Sequence, residues 1–140
     1  MEKRLRTLNL LFLVGAVVLV FVLVTWRSPW NLQRYIGTVL AIVGISFVAL
    51  ARYQLGASFS VNAKAHKLVT SGIYSKIRNP IYVFGLLLLT GLALVLQQPA
   101  FWIFLAIVVV LQTVRARQEA KVLEAAFGEQ YREYRRKTWF

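Results

Sequence analysis

Residues 71–82 read SGIYSKIRNPIY and lead directly into the apolar run IYVFGLLLLTGLALVL at 81–96. Two tyrosines, an arginine, an asparagine and a proline are pressed against the start of a segment that carries no charge. Asn79 is a residue type that caps helices, and Pro80 suits the first helical position, where a missing N–H costs nothing. Arg78 fits the headgroup level of a bilayer, and Tyr82 fits the interfacial aromatic belt. The stretch therefore predicts a helix starting at a membrane surface. Its two turn signals, Ser71-Gly72 and Asn79-Pro80, and its density of polar groups leave a binding role open beside that reading.

The composition supports a membrane domain. Of 140 residues, 59% are hydrophobic, which leaves too few polar side chains to cover a soluble protein of this size. The chain has no cysteine, so disulfides, thiolate metal sites and a cysteine nucleophile are excluded. One histidine and five acids argue against a metal centre and against hydrolytic chemistry. Seventeen Lys and Arg cluster between the apolar runs, a pattern of membrane topology and not of a nucleic-acid footprint.

Outward from residue 81, the apolar runs are 8–26, 35–51, 81–96 and 100–111, the last continuing as helix through Val114. The first is about 28 Å long as a helix, close to the hydrocarbon thickness. It is read as a retained anchor, because Thr25-Trp26-Arg27-Ser28 lacks the small-x-small pattern of a cleaved signal. Gly37, Thr38, Gly44 and Ser46 suit close helix packing in the second run. Gln97-Gln98-Pro99 separates the last two runs, which predicts a tight helical hairpin. From Arg115 the pattern becomes amphipathic, with Val122, Leu123, Ala126 and Phe127 on one side, and Gly128 ends or bends that helix.

The expected fold is all-α: a single polytopic domain over 1–140 with four transmembrane helices, near 8–26, 35–51, 80–96 and 100–114. A polar loop at 54–79 and a cytoplasmic amphipathic helix at 115–135 complete it. Placing both termini in the cytoplasm puts fifteen of the seventeen basic residues inside and two outside. It also puts the 71–82 stretch and the C-terminal helix on the same side. The four runs contain no Asp, Glu, Lys, Arg or His, which removes the usual site of an ion or proton transporter.

Two motifs in order sharpen the functional question. His66-Lys67-Leu68-Val69-Thr70-Ser71-Gly72-Ile73-Tyr74 is followed by Arg78-Asn79-Pro80-Ile81-Tyr82, and after the hairpin comes EAKVLEAAFGEQYREY at 119–134. Together they resemble the isoprenylcysteine carboxyl methyltransferase family, which is similar in turn to membrane phospholipid N-methyltransferases. That family shows H-x-L-V-x-x-G-x-Y, then R-H-P-x-Y entering a helix, then E-E-x-x-L-x-x-x-F-G-x-x-Y-x-x-Y. The match runs from about residue 55 to 134.

The resemblance implies methyl transfer from S-adenosylmethionine at the cytoplasmic membrane face, to a lipophilic acceptor that enters from the bilayer. It implies that His66, Leu68, Val69 and Tyr74 line the adenosine part of the cofactor. Arg78, Asn79, Pro80, Ile81 and Tyr82 would lie near its methionine part, where a helix N-terminus offers unsatisfied N–H groups to a carboxylate. Arg117 and Glu119 are the candidate catalytic residues, and no metal is implied. Two positions depart from the family pattern: Asn79 replaces a histidine, and Ala120 replaces the glutamate expected to hold the cofactor's ammonium. The alternative is a relative that has lost catalysis and serves as a binding or structural membrane protein.

Overall fold

The computed structural model describes residues 15–16, 18–23, 25–26, 28–56 and 68–140. Of the expected first span, 8–26, residues 8–14, 17 and 24 lie outside these, and so does His66. The described residues are helical apart from turns, with four helices beyond residue 31: α1 Leu32–Leu55, α2 Pro80–Leu96, α3 Pro99–Phe127 and α4 Glu129–Lys137. A 3-10 turn at Gly72–Ser75 lies between α1 and α2.

Each boundary has a local cause. Asn31 caps α1, its side-chain oxygen accepting from the Arg34 N–H at 3.0 Å. Gly56 ends α1 at φ 51, and Gln97 ends α2 in the left-handed region at φ 54. Pro80 and Pro99 open α2 and α3, where their missing N–H groups would be unpaired in any case. No breaker interrupts 99–127, so the apolar and amphipathic patterns form one helix instead of meeting at a junction near 114. Gly128, at φ 52, stops that helix and starts α4.

Helices α1 and α3 are long and apolar enough to cross a membrane, while α2 is apolar but shorter, at 17 residues. At 1.5 Å per residue α3 reaches about 43 Å, well beyond a hydrocarbon core of about 30 Å. One helix can therefore carry both an apolar crossing and a polar extension past it. Large apolar side chains such as Ile36, Val39 and Ile42 on α1 and Ile103, Ile107 and Val110 on α3 are exposed, as lipid-facing residues would be.

Helix α2 packs chiefly along α1, and only sparsely on α3 despite the two-residue link between them. The reason is a stripe of small residues. A Cβ placed on Gly37 would lie 2.6 Å from the Gly91 carbonyl oxygen, and one on Gly44 would lie 2.5 Å from the Leu88 nitrogen. One on Gly91 would lie 2.5 Å from both the Ala41 nitrogen and the Gly37 oxygen. Backbone meets backbone along this seam, the arrangement that small residues permit in apolar helix pairs. Phe47 stacks on Phe84 at a centroid distance of 4.5 Å farther along the same pair. At the opposite end, Gln97 Nε2 donates to Asn31 Oδ1 at 2.9 Å, tying the end of α2 to the cap of α1.

Candidate functional site

The turn before α2 is fixed from α1. Gln54, in the last turn of α1, accepts from the Ile73 N–H at 2.8 Å. Gly72 sits at φ 60, a backbone conformation that favours glycine, and a Cβ there would also push the Gln54 side chain out of place. The Ser75 hydroxyl closes the turn on the Gly72 carbonyl at 2.7 Å. Leu68 and Val69 are half-buried ahead of it, and Tyr74 is buried within it.

The second support comes from the C-terminal segment. The Tyr134 hydroxyl, on α4, donates to the buried Tyr74 carbonyl at 2.6 Å. Beyond α4 the chain runs beside residues 76–79 as a short parallel bridge between Ile77 and Trp139. The Trp139 N–H donates to the Lys76 carbonyl at 2.8 Å, and the Arg78 and Asn79 N–H groups donate to the Trp139 and Phe140 carbonyls at 3.0 Å each. The Arg78 and Asn79 N–H groups, just ahead of the helix N-terminus that the sequence reading offered to a ligand carboxylate, are therefore taken by the chain itself. Asn79 occupies the cap position of α2, as expected, but its side chain makes no capping bond. Pro80 is fully buried at the helix start, with Ile81 half-buried beside it.

The two motif-bearing segments, already joined by the Tyr134–Tyr74 bond, meet again side chain to side chain. The Tyr82 hydroxyl donates to Glu119 Oε1 at 2.5 Å, joining the first turn of α2 to the polar part of α3. A short O–H···O⁻ bond to a half-buried carboxylate is of the charge-assisted kind. Seven residues earlier on α3, about 20° away around the helix, Gln112 faces the same way, with the buried Ala116 between them. Arg115, one turn before Glu119, brings a positive charge close to Tyr82. Ala120 is half-buried about 100° from Glu119. Arg117 is exposed, about 160° from Glu119, and the structure does not bring it together with Tyr82.

A tyrosine cluster backs the site. Tyr74, Tyr131 and Tyr134 are buried, and burial raises the pKa of each phenol; that of Tyr134 is pushed up to about 12, with the neighbouring Tyr131 adding and Arg78 opposing. The Tyr74 hydroxyl oxygen and Arg78 Nε are buried without hydrogen-bond partners. Such orphaned groups are costly, and they mark places where a ligand group can bind. Tyr131 and Tyr134 drew no role from sequence, although their spacing of three puts both on one face of α4. Gln54 and Gln112 gave no signal beyond being polar. Among the described residues, no group of three or more His, Asp or Glu could hold a metal ion.

The cluster carries a testable pH dependence. The folded chain holds the Tyr134 proton more tightly than the unfolded chain, whose ordinary value is 10.0. Its contribution is complete below pH 10 and is lost as the pH rises through about 12. Tyr134→Phe is expected to lower stability by about 1–3 kcal/mol through the orphaned Tyr74 carbonyl. The same change should flatten the alkaline limb of melting temperature against pH between 10 and 12, and an unchanged limb would count against it.

Comparison with known proteins bears on this arrangement. The chain is 35% identical over 115 residues to the cobalt-zinc-cadmium resistance protein CzcN of Cupriavidus metallidurans, covering 81% of this chain and 50% of that protein. It is 30% identical over 125 residues to the protein-S-isoprenylcysteine O-methyltransferase of Schizosaccharomyces pombe, covering 80% of this chain and 53% of that one. The chain thus spans about half the length of the curated relatives it matches. No solved structure matches. The family model for phospholipid methyltransferases matches residues 32–130, from the start of α1 past the end of α3, so the stretch holding both Tyr82 and Glu119 lies within it. On that match the chain belongs to the phospholipid methyltransferase family, a family of membrane methyltransferases.

Proposed function

We propose that this protein is an S-adenosylmethionine-dependent methyltransferase that acts on a lipophilic acceptor at the cytoplasmic face of a membrane. The observation that carries the reading is the Tyr82–Glu119 hydrogen bond, because it brings together the two segments on which the family resemblance rests. The donor set suits the cofactor. Glu119 offers a half-buried carboxylate to an ammonium group, Arg78 offers an unpaired buried guanidinium nitrogen to a carboxylate, and the Tyr74 hydroxyl lacks a partner. Leu68, Val69 and Ile81, each half-buried, are assigned to apolar contact with the cofactor, and the buried Pro80 to fixing the helix start. Glu119 thereby takes the ammonium-binding role that the family pattern gives to the position of Ala120.

S-adenosylmethionine, when bound, supplies an electrophilic methyl group on a sulfonium, which an amine, thiolate or carboxylate attacks without further activation. What remains for the chain is to orient the acceptor and to keep water out. The backbone bonds of residues 76–79 to the C-terminal segment hold the loop against the α2 start. Tyr82 orients Glu119 by its hydrogen bond. The exposed apolar faces of α1 and α3 suit a bilayer from which the acceptor arrives sideways. Arg117, exposed on the far side of α3, is assigned to the membrane surface. The basic-residue count orients both termini to the cytoplasm, with the loop, the end of α3 and α4 gathered there.

The test is transfer of a radiolabelled methyl from S-adenosylmethionine to a total lipid and small-metabolite extract. Label in an organic-soluble product, dependent on the purified protein and absent with Glu119→Gln, is the expected result. No transfer to any extract, with no cofactor binding, would favour a non-catalytic membrane relative instead.

A further inference from the structure

The C-terminal segment returns to the level at which α2 enters its apolar run. Tyr82, in the first turn of α2, meets Glu119, so Phe127 at the end of α3 lies about 12 Å farther out along that helix. Gly128 turns the chain there, and α4 brings it back to the residues just ahead of α2. The Trp139 N–H bonds to the Lys76 carbonyl and the Trp139 carbonyl to the Arg78 N–H, which fixes Trp139 at the α2 start. That start is where a polar stretch gives way to an uncharged run, the headgroup level of a bilayer.

The side chains at this level are left open by the fold. Trp139 is 66% exposed and Phe140 40% exposed, their rings meeting each other at 6.1 Å. The cations around them are in excess, with nine Lys and Arg against four Glu over residues 68–140. Every one of those acids is taken: Glu119 accepts from Tyr82, and Glu124, Glu129 and Glu133 pair with Arg132, Arg136 and Lys137. Lys76 and Arg135 are exposed and make no ion pair among the described residues. Arg132, Arg135 and Arg136 share an arc of about 100° on α4, beside the buried face of Tyr131 and Tyr134. Arg78 and Arg135 both bring positive charge close to Tyr131, which ties that arc to the α2 start. A charged face that served only to keep α4 in water would need no exposed aromatic pair held at the headgroup level beside it.

We infer that the arginine arc of α4, Lys76 and Trp139 form a docking surface for the headgroups of anionic phospholipids. The indole ring sits among the headgroups, where its apolar body and polar N–H are both accommodated, and the cations pair with phosphodiester oxygens. Anionic lipids are thereby gathered around this end of the protein, while zwitterionic lipids, which bring an ammonium of their own, are not. Topology alone accounts for which side the cations lie on, but it selects no lipid; the unpaired cations beside an exposed ring do. The surface stands apart from the methyltransferase reading and does not depend on it.

The test is quenching of tryptophan fluorescence by brominated lipid, with the full chain in nanodiscs of about two parts phosphatidylcholine to one part phosphatidylglycerol. The lipid composition stays fixed, and the bromines are carried either by the phosphatidylglycerol or by an equal amount of the phosphatidylcholine. In each background the Trp139 signal is the part removed by Trp139→Phe. Brominated phosphatidylglycerol is expected to quench Trp139 about twice as strongly as brominated phosphatidylcholine. That ratio should fall to near one in Lys76→Gln/Arg135→Gln, and also for the wild type in about 0.5 M salt. Neither substitution strands an acid, so the double variant should melt with the wild type, and the salt measurement decides the matter even if it does not fold. A wild-type ratio of one, or a ratio that survives either the salt or the double substitution, would overturn the inference. Equal quenching by the two lipids, with a Trp139 emission shift on adding polyglutamate, would assign the surface to an acidic protein instead.

Discussion

Glu119→Gln is expected to weaken binding of S-adenosylhomocysteine roughly 10- to 100-fold while leaving helical content and melting temperature nearly unchanged. The substitution keeps the size of the side chain and an oxygen that can accept from the Tyr82 hydroxyl, so the α2–α3 contact survives. What it removes is the negative charge offered to an ammonium group in a half-buried place, where charge-assisted bonds count for more than at the surface. Calorimetry on the detergent-solubilised protein reads the affinity, and circular dichroism reads the fold. Unchanged affinity would show that Glu119 is only a structural partner of Tyr82. A collapse of the helical signal would show that the pair holds α2 to α3 and says nothing about a ligand.

The second large effect is structural. Gly91→Val is expected to cost more than about 3 kcal/mol and to lower the melting temperature by roughly 10 °C or more. Its Cβ would fall 2.5 Å from the Ala41 nitrogen and the Gly37 oxygen. Both are backbone atoms of α1, so no side chain can swing aside and the two helices must separate. Overpacking usually costs about 1–3 kcal/mol when side chains can yield. Here the strain is spread along the seam that carries most of the α1–α2 packing. Gly85→Ala is the control on the same helix, its Cβ meeting only the Gln112 side chain at an ordinary 3.9 Å contact, and it should melt within a few degrees of wild type. Equal losses for the two variants would mean that helix propensity, and not the seam, sets the effect.

The sequence made some of this legible and hid the rest for identifiable reasons. The bounds of α2 followed from Asn79, Pro80 and Gln97, because caps and prolines act locally and announce themselves. Gly128 likewise marked the break before α4. Gly37 and Gly44 signalled close packing, yet not against which helix. The short Gln97-Gln98 link suggested that α2 pairs with α3, whereas the glycine stripe takes it to α1. Small residues show that a backbone approaches, but the identity of its partner is a long-range fact.

The candidate site divides the same way. Tyr74, Pro80, Ile81 and Tyr82 were named from motif order and lie in the turn before α2 and in its first turn. Glu119 was legible as a residue, but its orientation was not, since the family pattern drew attention to Ala120 one position on. The helix rotation that turns Glu119 towards Tyr82 and leaves Arg117 outside depends on how α3 packs, and no local signal encodes it. The bridge from Trp139 to residues 76–78 was invisible for a different reason: its hydrogen bonds are all backbone, and backbone groups are the same in every residue.

On the proposed function, Tyr82 and Glu119 act as one unit at the cofactor site. A double-mutant cycle of Tyr82→Phe and Glu119→Gln, read by calorimetric titration with S-adenosylhomocysteine, tests it most directly. Expected are measurable binding by the wild type, weaker binding in each single variant, and a double variant little worse than Glu119→Gln alone, with a coupling of about 1 kcal/mol or more. Absence of wild-type binding at millimolar ligand, or strictly additive losses in the double variant, would contradict it.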